Sequence, residues 1–188
     1  MKASKKDRST VVNILTTQFK NDPNILAKLK RDDEKYVRKL MTYVFDTIQP
    51  ISGIYLTEDR RGVAVCYQPV LQTKTFRSLY LKIKLSLGII GLRNLRSALK
   101  RKKKIISHHP QDGKYLNCWL IAIKNKSLLS TFMSLKKEIS QDAHQLNIPI
   151  YIETHKERKK KIAEYYGFQL YDSLLSLNSN TLFFMRKY

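Results

Sequence analysis

Cysteine is scarce in this chain of 188 residues, which contains only Cys66 and Cys118. Two cysteines in apolar surroundings, far apart in the sequence, exclude a disulfide framework and lack metal-binding spacing. We therefore expect two reduced, buried thiols. The chain also lacks the composition of collagen, coiled coils and mucin-like stalks, and its hydrophobic fraction of 43% excludes intrinsic disorder.

Long apolar runs are absent as well. The least polar stretch, residues 85–92, is too short to span a bilayer, and the charged start of the chain lacks the apolar segment of a secretory signal. We therefore expect a soluble, cytoplasmic protein without transmembrane association. A chain of this length can bury about 70% of its unfolded surface, so we expect a single domain over residues 1–188.

Acidic residues are few, 15 against 36 lysines and arginines, which gives a net charge of +21. None lies between Asp59 and Asp112, an interval that holds 13 basic residues. Residues 100–104 are its densest part, and residues 156–161 form a second basic cluster. Like charges this close repel each other, which favours an anionic partner. Nucleic acid, an anionic membrane surface, a phosphorylated small molecule and a merely solvated face are the open alternatives.

Hydrophobic spacing predicts alternating helices and strands. Helices are expected at 9–19, 32–48, 127–146 and 156–166, with mainly helix at 75–106. Strands are expected at 54–56, 63–67, 115–123, 148–154, 168–174 and 181–186. The strand 115–123 should be buried on both faces. Because residues 115–154 form one strand–helix–strand unit, its two strands should be parallel within an α/β fold.

Several common chemistries are excluded by their missing motifs. The sequence has no Gly-x-Ser-x-Gly elbow, no Walker-type phosphate loop and no Rossmann fingerprint. His108 and His109 are the only adjacent histidines, and a zinc site would need further ligands that are not evident. We therefore expect no metal. His144 is expected on a helix surface, and His155 in an exposed loop.

Three segments of the C-terminal third carry a family resemblance. They are Pro149–Thr154, Glu164–Phe168 and Phe183–Arg186. Together they resemble the GNAT acyltransferases, and more narrowly the branch that contains puromycin N-acetyltransferase. Residues 19–23, the hairpin 53–65 and His108-His109-Pro110 resemble further parts of that branch, so the likeness covers most of the chain.

The resemblance implies a GNAT fold, with a central mixed, twisted sheet flanked by helices. In that fold the parallel strands matching 115–123 and 148–154 splay apart. Acetyl-CoA, or another acyl-CoA, would lie between them as a co-substrate, with its pyrophosphate at the start of the following helix. Carried over position by position, the cofactor-binding residues are Ala122, Ile123, Ser127, Leu128, Leu129, Ser130, Thr131, Phe132 and Lys159.

Some of these positions depart from the family pattern. Ser127 stands where the family has glutamine or arginine, and Ser130 and Phe132 replace glycines that let the backbone approach phosphate. Lys159 replaces a frequent asparagine, and Ala163 replaces a tyrosine that protonates the departing thiolate. The scaffold signature is therefore kept, whereas the phosphate-loop and general-acid signatures are not.

Two residues are catalytic candidates. Tyr166, or its neighbour Tyr165, is a substitute general acid; alternatively, Tyr166 is a core tyrosine beside a helix end. Glu153, at the end of a strand, is a base for an amine or has a structural role. Loss of the general acid is tolerable, because a thiol leaving group has a pKa of about 8.5 and departs as a thiolate without much assistance.

The function implied by the resemblance is an acyl-CoA-dependent N-acyltransferase. It would transfer an acetyl group from acetyl-CoA to the amine of a small molecule or peptide. The alternative is a catalytically degenerate GNAT-fold protein that uses its basic 60–104 surface for an anionic partner such as nucleic acid or acidic lipid. Because family members are often monomers or dimers, we expect a monomer or a homodimer.

Overall fold

Apart from one short helix at Pro23–Leu26, helices and strands follow one another in the order that the hydrophobic spacing predicts. The computed structural model describes residues 1–27, 29–71, 85–90, 92–124, 128–175 and 181–188. The helices are α1 (Arg8–Phe19), α2 (Pro23–Leu26), α3 (Glu34–Ile48), α4 (Leu92–Ile106), α5 (Leu128–Gln145) and α6 (Glu157–Tyr165). The strands are β1 (Ile54–Leu56), β2 (Gly62–Tyr67), β3 (Leu116–Ile123), β4 (Ile150–Thr154), β5 (Gln169–Leu175) and β6 (Thr181–Lys187). Most of the expected helix before residue 85 lies outside the described residues.

Local sequence explains where several helices begin and end. The Asp33 side chain caps α3 by accepting a hydrogen bond of 2.9 Å from the Tyr36 N–H. Asp22 caps α2 in the same way, with Pro23 in its first turn. Gly167 follows α6 at a φ of +85°, a left-handed conformation that glycine adopts without strain.

One sheet holds the molecule together, with the strand order β1-β2-β3-β4-β6-β5. Among the described strands only β3 and β4 run parallel, as expected. Residues of α1 and α3 pack on one face, against Val63, Val65, Leu120 and Ala122. Leu135 and Ile139 of α5 pack on the other face, against Ala64, Cys66, Leu116 and Cys118. The predicted α/β architecture with a mixed sheet is confirmed.

Two local expectations need correction, and a third is confirmed. Strand β3 is not buried on both faces, because Trp119 and Ile121 are 41% and 39% exposed. His155 is half-buried rather than exposed, because α4 reaches the end of β4 and places Arg101 Nη2 3.0 Å from the His155 ring. The two cysteines are both buried, as predicted, but they are direct partners across β2 and β3.

Two kinds of feature do not occur in the part of the chain that the structure describes. No described helix has both the length and the apolar character needed to cross a bilayer. The described residues also bring no three histidine, cysteine, aspartate or glutamate side chains together as a metal site.

Candidate active site

The candidate site lies where β3 and β4 separate. Their parallel pairing begins with Leu116 and Ile150 and ends with Cys118 and Ile152. Beyond that pair, β3 continues beside β2 and β4 continues beside β6. The expected splay of the two strands is thus confirmed, and a wedge opens between their carboxyl ends.

A β-bulge accounts for the separation. Val65 of β2 pairs with Leu120, whereas the next residue, Cys66, pairs with Cys118, so Trp119 is an extra residue in β3. Such an insertion bends a strand and increases its twist, and β3 leaves β4 at this point. Within the described residues, the edge of β3 that faces the wedge has no strand partner from Trp119 onward. Its backbone groups are available to a ligand.

Glu153 is the first residue of β4 beyond the last pair with β3. Its side chain is 18% exposed and its Oε1 lies 2.9 Å from Nε2 of His109, whose side chain is only 2% exposed. Nδ1 of His109 lies 3.2 Å from the Tyr171 hydroxyl. Because an ionised carboxylate can only accept, His109 donates its Nε2–H to Glu153 and accepts from Tyr171. This buried relay fixes the carboxylate at the apex of the wedge.

Aromatic rings surround the relay. The His109 ring stacks on Tyr115 at 5.3 Å and meets the edge of Phe184 at 5.5 Å. Tyr151 contacts the rings of both Tyr115 and Tyr171. Burial raises the pKa of Tyr115 and of Tyr171. Their hydroxyls therefore stay protonated at neutral pH and can donate hydrogen bonds, but they cannot serve as bases.

Asn117 adds a polar group on the same face of the sheet. It is the β3 partner of Tyr151, so its side chain lies on the face that carries Glu153. Its Nδ2 lies 3.4 Å from the Tyr67 hydroxyl, whereas its buried Oδ1 has no hydrogen-bond partner among the described residues. A buried acceptor without a partner is costly in free energy.

The start of α5 forms the other side of the wedge. Leu129 is 68% exposed there, and Ser130 is exposed as well. Thr131 is buried, and its hydroxyl donates to Asp59 Oδ2 at 3.4 Å. A hydrogen bond from Thr57 lowers the pKa of Asp59, so this carboxylate stays charged at neutral pH. A helix N-terminus attracts anions, and here Asp59 would compete with the phosphates of a cofactor.

Phe132 and Tyr166 form an aromatic contact between α5 and the end of α6. Their ring centroids are 5.4 Å apart, and Nζ of Lys136 lies 4.2 Å from the centre of the Tyr166 ring. Tyr166 therefore packs against α5 instead of projecting alone into the wedge. A cofactor that left the wedge between these two helices would have to pass this aromatic pair.

The remaining residues that were predicted to bind the cofactor differ in how exposed their side chains are. Ala122 is fully buried against the α1 and α3 layer, so only its backbone is accessible. Ile123 is half-buried and packs against the α5 layer. Lys159 is exposed in the first turn of α6, and Leu128 begins α5. Ser127 lies outside the described residues.

His109, Tyr171 and Asn117 were not among the site residues predicted from the sequence. His109 was considered as a metal ligand and as part of the family resemblance, but not as a partner of Glu153 and Tyr171, which are 44 and 62 residues away along the chain. No local sequence pattern predicts contacts between residues so far apart in the chain. The available signal was the position of His109 just before the predicted strand 115–123, which was expected to be parallel to the strand that carries Glu153.

A cavity of about 490 Å³ lies elsewhere, around Leu116 at the opposite end of β3. Its acidic wall residue, Asp142, accepts from the Tyr55 hydroxyl at 2.8 Å and pairs with Lys2 at 2.5 Å. This carboxylate is already satisfied within the protein. The cavity is therefore not part of the candidate active site.

Neither family models nor curated proteins give a match to the chain. Solved structures do match it, among them the C-terminal condensation domain of Ebony in complex with beta-alanyl-dopamine. That domain has a TM-score of 0.70 and 10% identity, over 98% of this chain and 95% of the other. Arylalkylamine N-acetyltransferase 2 from Aedes aegypti has a TM-score of 0.67 and 10% identity, over 100% and 96%.

A third match is an acetyltransferase from Corynebacterium glutamicum, described as histone acetyltransferase HPA2 and related. It has a TM-score of 0.66 and 17% identity, over 100% of this chain and 93% of the other. The chain therefore has the fold of the GNAT acetyltransferases. At these identities the likeness shows the fold alone, and the narrower likeness to the puromycin N-acetyltransferase branch stays a prediction.

Proposed function

We propose that this chain is an N-acyltransferase that transfers an acetyl group from acetyl-CoA to an amine. The observation that carries the proposal is the Glu153 carboxylate at the point where β3 and β4 part. A thioester held against the free edge of β3 would lie beside this carboxylate. The acetyltransferases among the structural neighbours support the proposal at the level of the fold.

The free edge of β3 would bind the acyl arm. Acetyl-CoA supplies an acyl group activated as a thioester, whose carbonyl oxygen gains negative charge when an amine attacks. Backbone N–H groups beyond the bulge at Trp119 are held by the pairing of β3 with β2. Donors that are already oriented stabilise developing charge without reorganisation.

Glu153 would remove a proton from the attacking amine. An amine arrives as an ammonium ion at neutral pH and must lose a proton before, or as, it attacks. The Glu153 carboxylate accepts that proton, while the His109 Nε2–H keeps it oriented.

The departing thiolate and the phosphates of the cofactor would lie on the side of the wedge formed by α5 and α6. Tyr166, between α5 and α6, is the candidate donor of a proton to the departing thiolate, which needs little assistance because the pKa of a thiol is about 8.5. The phosphates would lie at the start of α5, near Ser130, with Lys159 of α6 as a counter-charge. The side chains there make this the less complementary part of the proposed site.

An acetyl-transfer assay tests the proposal. Thiol release from acetyl-CoA is measured with a panel of arylalkylamines, polyamines and peptides. We expect release that depends on one amine class and falls by about 10²–10⁴-fold in Glu153→Gln. Glu58→Gln, which removes an exposed carboxylate of the hairpin turn, is the matched control and should retain activity. Amine-dependent release that is equal in Glu153→Gln and the wild type would contradict the role of Glu153.

A further inference from the structure

Helix α4 presents a basic surface that the proposed active site does not use. Its 15 residues, Leu92–Ile106, include seven lysines and arginines and no acidic residue. Lys100, Lys103 and Lys104 are all exposed. Such a helix attracts anions over a distance of about 10 Å at 0.1 M salt.

The helix is held to the molecule along one side. Leu95, Ala98, Arg101 and Ile105 form its half-buried stripe at helical spacing. The preceding turn, Ser86–Ile90, anchors it, because Ile89 is buried in the core of α1 and α3. Arg101 fixes its middle through the 3.0 Å contact with His155. The opposite side of α4 therefore keeps a defined orientation toward solvent.

Two large apolar side chains lie at the border between the half-buried stripe and that outward side. Leu99 is 57% exposed and Ile106 is 47% exposed. They are seven residues apart, which places them two turns apart on one face of the helix. Lys103 lies one turn after Leu99 on the same side of the helix, and the exposed Lys100 and Lys104 lie further around it, on the solvent side. Apolar side chains framed by cations are the pattern of helices that lie in a membrane interface.

The same pattern argues against nucleic acid as the occupant. Lysines alone suffice to contact phosphates, so exposed leucine and isoleucine would gain nothing on a nucleic-acid backbone. Helix α4 contains no aromatic residue on which a base could stack. Acyl chains, in contrast, take up apolar side chains, and anionic headgroups pair with the lysines around them.

We propose that α4 docks on an anionic lipid bilayer, with Leu99 and Ile106 inserted between headgroups and the surrounding lysines paired with lipid phosphates. Because Arg101 contacts His155 at the end of β4, docking would place the β3–β4 wedge close to the bilayer surface. The proposal does not depend on acetyl transfer. It rests on the exposure and charge of α4 alone.

Vesicle flotation of the full chain tests the proposal. The protein is mixed with vesicles of phosphatidylcholine alone, or of phosphatidylcholine with phosphatidylglycerol, at rising salt. We expect at least about tenfold stronger binding to the anionic vesicles near 0.1 M salt, with a decline at higher salt. Equal binding to both kinds of vesicle, or none, would overturn the proposal.

Two variants distinguish the contribution of apolar insertion to vesicle binding from the contribution of charge. In Leu99→Ser/Ile106→Ser we expect vesicle binding to fall by about tenfold, because the inserted apolar area is lost. In Lys100→Glu/Lys103→Glu/Lys104→Glu binding should disappear. The matched control Lys5→Glu/Lys6→Glu/Lys35→Glu changes the net charge equally at exposed lysines far from α4 in sequence and should keep most binding.

Duplex DNA is the competing occupant in the same experiment. Circular dichroism and thermal unfolding first confirm that each variant is folded, and lysine-to-glutamine versions replace any charge reversal that is not. If Leu99→Ser/Ile106→Ser floats as well as the wild type, lipid insertion is refuted. If the α4 lysines are needed for retention on DNA but not on anionic vesicles, α4 is a nucleic-acid surface and the proposal fails.

Discussion

The two sides of the β3–β4 wedge differ in how completely they are built. On the Glu153 side, His109 and Tyr171 form a buried relay that is enclosed by aromatic rings. On the α5 side, Thr131 is engaged by Asp59 and Phe132 packs on Tyr166. The Glu153 side holds a carboxylate in a fixed position. The α5 side has side chains at positions where a phosphate-binding loop would expose backbone N–H groups.

This difference indicates which part of an acyltransferase depends on long-range packing and which on a local loop. The splay and the relay follow from strand pairing, which persists as long as the sheet core is intact. A phosphate cradle depends on a few glycines in one turn, and side chains such as Phe132 alter it without disturbing the sheet. We therefore expect proton handling to be well organised and cofactor affinity to be modest.

Removal of His109 should have the largest effect on stability. His109→Ala leaves a cavity and deprives both Glu153 and the Tyr171 hydroxyl of a partner. We expect a loss of about 3–4 kcal/mol in the free energy of unfolding, measured by urea denaturation. His144→Ala changes an exposed histidine and should alter stability by less than about 0.5 kcal/mol. Similar losses in both variants would contradict the buried relay.

A side chain at Gly62 should disturb the α5 side of the wedge. A Cβ built there would lie 2.5 Å from Thr131 Cγ2 and 3.1 Å from Leu135 Cδ1, so the hairpin and the first turns of α5 would be forced apart. We expect Gly62→Ala to cost about 2 kcal/mol in thermal or urea unfolding. Gly88→Ala is the control, because nothing lies within 4 Å of a Cβ at Gly88. A neutral Gly62→Ala would show that α5 is not packed closely on the hairpin.

Phe132→Ala should improve cofactor binding. The truncation removes the ring that meets Tyr166, while alanine keeps the helix propensity of the turn. We expect about a tenfold lower Kd for acetyl-CoA by calorimetry, which corresponds to about 1.4 kcal/mol. Met133→Ala, at the exposed neighbouring position, should leave the Kd unchanged. A weaker affinity in Phe132→Ala would mean that this ring contributes to the cofactor site.

Asp59→Asn should have the smallest effect. It removes a negative charge beside the start of α5, and we expect the Kd for acetyl-CoA to fall by about threefold at low salt, roughly the effect of a charge near a helix terminus. Glu58→Gln makes the same charge change one residue away and should have less effect. Because the pKa of Asp59 lies below its usual 3.8, acidification from pH 7 to about 5 leaves Asp59 charged. Its repulsion of the cofactor should therefore persist over that range.

Most of the fold could be predicted from the sequence, because hydrophobic periodicity is a local signal. The helix at Glu34–Ile48 and the parallel pair formed by β3 and β4 were both expected, close to their observed bounds. The bulge at Trp119 was not, because it depends on the register between β2 and β3. The His109 relay was missed for a similar reason, since its members meet only after the sheet has formed. Glu153 was a candidate because it lies at the end of the predicted strand 148–154, within a segment that carries the family resemblance.

The most direct test of the wedge is a fluorescence titration with acetyl-CoA. Trp119 is the only tryptophan of the chain, and it lies 41% exposed at the point where β3 leaves β4. Because a ligand bound along the free edge of β3 would lie close to this residue, we predict a saturable fluorescence change with a Kd in the micromolar to submillimolar range, reversed by excess CoA. If folded protein shows no saturable change up to about millimolar acetyl-CoA, the wedge does not bind this thioester. The chain would then be a GNAT-fold protein without acetyl transfer.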